Sequence, residues 1–184
     1  MMNKIQVSIC IILMFILSGC VLSLLDSYEE PEQAKFVGDI LNNVSKKLQK
    51  KYTMRTIGTG IGMPDGVVTM LALSFEKTGP LTQEEGRAII VGCVEEMIQT
   101  VNKNEKIRPY LENYPFTSNN VEIRLFLKTK EGNKIYEPDY GVISEIDGSV
   151  NYKYKSSENP KKYSKIEEEK FEEALKMVQN KSKK

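Results

Sequence analysis

The 184 residues contain no histidine and no tryptophan. Imidazole ligands, His-based acid–base chemistry and every Ser-His or Cys-His nucleophile arrangement are therefore excluded. Three cysteines and a scatter of carboxylates remain able to do chemistry. Cys20 stands directly after the small residues Ser18 and Gly19 at the end of an apolar run, where its thiol is the one nucleophile whose neighbours invite close approach. A hydrolase built on this chain would have to draw on carboxylates such as Asp65, Glu122, Asp139 and Glu145, and their spacing assigns a catalytic role to none of them. Glu137, Asp139, Glu145 and Asp147 fall on expected loops and turns. A hard cation wants about six to eight oxygens from one tight cluster, and the sequence offers no such spacing, so neither a metal nor a cofactor is expected. Gly58-Thr59-Gly60-Ile61-Gly62 lacks the Gly-Lys-Ser/Thr and the following helix that phosphate binding requires, and reads as structural glycine.

The other chemically distinctive stretch is Arg108-Pro109-Tyr110-Leu111-Glu112-Asn113-Tyr114-Pro115-Phe116, with three aromatics and an arginine in nine residues. Tyr and Arg are enriched at binding hot spots. Arg108, Tyr110, Tyr114 and Phe116 are thus the candidate interaction surface. The competing expectation is a lid, in which Tyr110, Leu111, Tyr114 and Phe116 cover one end of a sheet.

From Ile5 to Leu25 the chain has no charged residue, and Lys4 precedes this run, giving the outline of a secretion signal. Within it, Leu17-Ser18-Gly19-Cys20 resembles the lipobox of bacterial lipoprotein precursors. The resemblance implies a signal peptide over residues 1–19, cleavage before Cys20, and a diacylglyceryl thioether on the Cys20 sulfur with an acylated amino group. Two or three acyl chains exceed what stable anchoring requires. It also implies a cell-envelope location, at the outer membrane where there is one, because Val21 occupies the second mature position. An uncleaved anchor is the alternative, since the 21 residues from Ile5 to Leu25 match the roughly 20 that span a bilayer. The segment from Arg108 into Val121-Glu122-Ile123-Arg124 is similar to small bacterial secreted proteins and lipoproteins to which no activity is attached.

Lys and Arg total 26 against 25 Asp and Glu, a formal charge of +1. No basic excess exists to neutralise nucleic-acid phosphates, so no nucleic-acid partner is expected. The expected partners are the membrane, through the lipid, and an envelope protein. With Cys10 in the signal and Cys20 at the lipid site, Cys93 has no disulfide partner, and its apolar helical surroundings read as packing.

The elements that must position these groups form a tether over residues 20–30, one domain over 31–180, and a polar tail over 181–184. Pro31 opens a helix carrying Ala34, Val37, Ile40, Leu41, Val44 and Leu48 on one face. Arg55–Ile61 and Val67–Phe75 flank the turn Met63-Pro64-Asp65-Gly66 as a hairpin. Thr82 and Glu85 form a capping box before a second helix that ends near Asn104. Val121–Lys128 is a strand, Ile135-Tyr136 a short one, and Val142–Ile146 pairs with Val150–Tyr154 across Asp147-Gly148. Ser164 and Glu167 form a second capping box, making Glu167–Glu173 the acidic, solvated start of a last helix. The fold class is α+β: an antiparallel sheet of about five strands with helices mainly on one face, preceded by a cleaved signal helix. The reading favours a non-enzymatic interaction module. A carboxylate-dependent hydrolase and a surface factor contacting host molecules are the alternatives.

Overall fold

A computed structural model describes residues 30–181. The signal run, Cys10, Cys20 and nearly all of the tether lie outside the described residues, as do Ser182 to Lys184.

Helix α1 spans Glu32–Tyr52 and buries Val37, Ile40, Leu41, Val44 and Leu48, while Lys50 and Lys51 stand in its last turn, where cations complement the helix dipole. Strand β1 (Arg55–Gly62) turns through Pro64–Gly66 into β2 (Met70–Thr78), and the two pair antiparallel. The turn takes Asp65 to φ 52° and Gly66 to φ 82°, the left-handed region that Asp tolerates and Gly favours.

Helix α2 (Gln83–Lys103) starts with the reciprocal bonds of the capping box. The Glu85 N–H donates to Thr82 Oγ1 at 3.2 Å, and the Thr82 N–H donates to Glu85 Oε2 at 2.8 Å. Its buried face carries Ile90, Cys93, Val94, Met97 and Val101. At Gly86 a Cβ would stand 2.3 Å from Ile143 Cδ1, so glycine lets the first turns of α2 lie directly on the sheet.

Because α2 carries the chain back across the sheet, β3 (Val121–Lys128) runs parallel to β2. Strand β4 (Tyr140–Ile146) and strand β5 (Ser149–Lys155) follow as an antiparallel hairpin, with Asp147 at φ 51° and Gly148 at φ 75°. These signs at both central positions are those of a type I′ turn. Strand β6 (Tyr163–Lys170) pairs antiparallel with β5 and leads straight into helix α3 (Phe171–Lys181).

The sheet therefore has six strands in the order β1-β2-β3-β4-β5-β6, mixed through its one parallel pair. The α+β class and the mostly antiparallel pairing are as expected, and the differences from an antiparallel sheet of about five are the sixth strand and the parallel pair. Ile135-Tyr136 is not a strand; Lys134 makes a single bridge to Lys128, and Ile135 is buried beside it. The capping box at Ser164 is also corrected, because Ser164 and Glu167 lie inside β6. The open side of β5 supplies a backbone ladder that outcompetes the helical preference of this Lys- and Glu-rich run.

Leu71, Leu73 and Phe75 of β2, Val121, Ile123 and Leu125 of β3, Ile143 of β4, and Val150 and Tyr152 of β5 join the buried residues of all three helices in one core. The alternate positions, among them Glu76, Glu122, Arg124 and Lys128, occupy the other face.

Candidate interaction surface

The segment after α2 is held by side chains acting on backbone. Asn104 Oδ1 accepts the N–H groups of Lys106 and Ile107 at 3.0 and 3.4 Å. Asn102 binds Phe116 at two points: the Phe116 N–H donates to Asn102 Oδ1 at 2.8 Å, and Asn102 Nδ2 donates to the Phe116 carbonyl at 3.0 Å. The Val68 N–H donates to the Tyr110 carbonyl at 2.7 Å, and the Glu112 N–H to the Val68 carbonyl at 3.0 Å. These bonds fasten the irregular segment to the approach to β2, and its backbone polar groups find partners without a regular element.

So fastened, the four candidate side chains separate. Phe116 is 1% exposed and belongs to the core, as does Ile107; the placement of Phe116 on an interaction surface is corrected. Tyr110 is half-buried against the core, its ring centroid 6.5 Å from that of Phe36 on α1. Tyr114 is 54% exposed. The Arg108 guanidinium carbon lies 4.6 Å from the Tyr114 ring centroid, and at an exposed site such a stack is worth about 0.5–1 kcal/mol. The loop is thus a lid through Phe116 and Tyr110 and a surface through Arg108 and Tyr114.

The loop that carries this surface packs against α1. Tyr110 packs on Phe36, Lys106 Nζ stands 5.7 Å over the Phe36 ring, and a Cβ on Gly66 would be 2.9 Å from Gln33 Nε2. Glu105, Glu112 and Asp65 are exposed alongside Lys106 and Arg108, so this surface has no dominant sign of charge. What it offers a partner is a stacked ring and guanidinium with a network of fixed amides behind them.

The carboxylates considered for hydrolysis are not gathered. Asp65 is in the β1–β2 turn, and Asp139 precedes β4 at the opposite end from Glu145. Glu122 is on the face opposite the core and pairs with Arg124. Glu145 pairs in register with Ile123 on the core face and is 0% exposed. One Glu145 oxygen accepts the Gly148 N–H at 3.0 Å, and the other has no hydrogen-bond partner. Burial pushes its pKa up to about 8, with Asp147 and Glu122 adding to the rise, while the Gly148 bond opposes it. At neutral pH Glu145 is a buried neutral acid. Among the described residues no group of three or more Cys, Asp or Glu is placed to hold a metal ion. Cys93 is buried, and burial raises its thiol pKa, which keeps the nucleophilic thiolate from forming.

One polar cluster was not anticipated from the sequence. Arg87 on α2 grips Glu169 of β6 through Nε at 2.8 Å and Nη2 at 3.0 Å, with side chains 14% and 12% exposed. The Tyr152 hydroxyl donates to the same carboxylate. Above this clamp a groove of about 290 Å³ between α2 and α3 is lined by Glu84, Glu85, Arg87, Ala88, Met177, Val178 and Lys181. The signal that could have found it is the alternation in β6, which turns Glu167 and Glu169 toward the core side and leaves Glu168 and Lys170 on the other. Reading Glu167–Glu173 as one solvated helical run conceals that period.

Comparison of the chain with protein-family models, with curated proteins and with solved structures finds no significant match.

Proposed function

We propose that the protein is a lipid-anchored lipoprotein of the bacterial envelope whose domain is a non-enzymatic interaction module. Cys20 carries the lipid, and the Arg108–Tyr114 surface meets an envelope protein held close to the same membrane. The sequence Leu17-Ser18-Gly19-Cys20 supports the anchor. The observation that carries the module reading is the exposed Arg108–Tyr114 stack on a loop whose Tyr110 packs against Phe36 of α1. From Cys20 to Pro31 is 11 residue steps, at most about 40 Å of extended chain. A tether of that length favours a partner in or beside the same membrane. A stacked Tyr and Arg on a well-fastened loop present a large contact area with little ordering cost on binding.

Two measurements on producing cells test this. The intact mass of the amino-terminal peptide should correspond to an acylated Cys20 in the wild type and to an unprocessed precursor in Cys20→Ser. An amino terminus at Met1 or Met2 with unmodified Cys20 would replace the lipid by a membrane helix. A photo-crosslinking residue, p-benzoylphenylalanine, placed at Tyr114 should then yield one discrete adduct that Arg108→Ala diminishes. The same residue at Glu158, in the β5–β6 loop, should yield none. Equal adducts from both positions would remove the Arg108–Tyr114 surface from consideration.

A further inference from the structure

The sheet ends in two strands, β1 and β6, and the sequence treats them in opposite ways. β6 carries Lys165, Glu167, Glu168, Glu169 and Lys170, charges of the kind that deter another strand from adding to an edge. β1 has no charged residue after Arg55, and none follows until Asp65. Ile57 and Ile61 are 42% and 43% exposed, and Thr59 between them is exposed as well. An uncharged edge with exposed branched side chains is a template for strand pairing.

The order of residues along that edge points to its occupant. Ile57-Gly58-Thr59-Gly60-Ile61 reads identically in both directions. A two-fold interface brings one patch against itself, and two antiparallel copies of a strand meet their own residues in reverse order. With the axis at Thr59, Thr59 meets the second copy's Thr59, Gly58 meets Gly60, and Ile57 meets Ile61. Thr–Thr and branched apolar pairs are favourable across strands, and like charges directly opposite are not. In this register Arg55 faces Met63, so no like charges meet.

Gly58 belongs to the bulge of β1 against β2 and adds no side chain to the edge. The ladder has a natural end. The Thr56 N–H already donates to Gln49 Oε1 at 3.2 Å, and the bulge against β2 falls between Thr56 and Gly58, so pairing stops at Ile57 and does not run on to Arg55.

We propose that β1 pairs antiparallel with β1 of a second copy about a two-fold axis at Thr59, joining two sheets into one. Residues opposite each other on the axis have Cα atoms about 4.5–5.5 Å apart, within the roughly 4.4–6.8 Å that a disulfide spans. Ile61 and the second copy's Ile61 are four positions out of register, about 13 Å at the strand rise, beyond disulfide reach. Mild oxidation of intact producing cells should cross-link Thr59→Cys to a dimer on a non-reducing gel and leave Ile61→Cys at the wild-type background. Full-length wild type in mild detergent should sediment as a dimer, and Thr59→Lys, which places two lysines face to face at an exposed position, as a monomer with an unchanged circular dichroism spectrum. A monomeric wild type, or cross-linking of Ile61→Cys as efficient as that of Thr59→Cys, would overturn the proposal.

Discussion

Replacing Glu145 by Gln should make the protein more stable at neutral and alkaline pH, against the usual expectation for a substitution at a fully buried site. The Glu145 pKa stands at about 8 in the fold against an ordinary 4.5. Between these values the folded chain holds a proton that the unfolded chain has released. The stability contributed by the neutral acid is complete below about pH 4.5, falls as pH rises through the window, and levels off above about 8. At about 1.4 kcal/mol per pH unit traversed, the loss relative to acid conditions is about 3–4 kcal/mol at pH 7 and about 5 kcal/mol at pH 9. Both are upper bounds, since denatured chains retain some structure. Gln keeps the acceptor for the Gly148 N–H and has no proton to lose. Its amide nitrogen takes the place of the oxygen that already lacks a partner, so its cost at pH 5 should be no more than about 1 kcal/mol. The assay is urea unfolding of the full chain in mild detergent, followed by circular dichroism at pH 5, 7 and 9. The quantity read is the variant-minus-wild-type difference, in which Glu85, Glu131 and Glu167, held below their ordinary pKa values by hydrogen bonds, cancel. The difference should rise with pH from near zero or slightly negative to clearly positive. A pH-independent difference would refute the reasoning, because it would mean that the Glu145 carboxyl holds no extra proton in the fold.

Three other substitutions test separate parts of the structure. Arg87→Ala leaves the Glu169 carboxylate with the Tyr152 hydroxyl alone and should cost about 2–4 kcal/mol, somewhat below the loss for a fully buried pair, read as a lower urea midpoint; Arg87→Lys should recover only part of it, because the two-pronged grip is lost. Gly86→Ala drives a methyl into Ile143 and should cost about 1–3 kcal/mol, with thermal melts showing partial rescue by Ile143→Val; equal costs in both backgrounds would separate the two residues. Thr82→Ala removes one half of the α2 capping box and should cost about 1 kcal/mol, with faster hydrogen exchange confined to the first turn of α2.

Of the two capping boxes expected ahead of helices, at Thr82 and at Ser164, the one at Thr82 forms. At Thr82 the box precedes Ile90, Cys93, Val94, Met97 and Val101 at helical spacing, so local bonds and burial agree. At Ser164 the box encloses Ile166, 52% exposed, and the apolar period begins only at Phe171. The eight residues before Phe171 are decided by the open side of β5 and by Arg87 reaching Glu169, both remote in sequence. The parallel pairing of β2 and β3 was open to inference, since a strand, a long helix and a strand in succession need a crossover that returns the chain to the same end of the sheet. The two hairpins were legible because turn residues announce themselves locally; the sixth strand was not, because its charges serve water on one face and an ion pair on the other.

The candidate surface divides on the same principle. Tyr114 and Phe116 are two residues apart in one aromatic loop, with equal claims on either water or the core. Asn102 decides between them by taking both backbone bonds of Phe116, which fixes that residue where its ring reaches the core and leaves Tyr114 beyond the bend. Composition marked the loop as a place where aromatic surface would be invested, and nothing in its own sequence says which ring is invested inward. That information sits in an asparagine near the end of α2, fourteen positions away. Asn102→Ala should therefore act on both properties of the loop at once, lowering stability by about 1–3 kcal/mol through the two unmet backbone groups and loosening the Arg108–Tyr114 stack that α2 holds in place. Hydrogen exchange that accelerates at Phe116 and leaves residues 108–114 unchanged would show that the surface is fastened by the Val68 bonds alone.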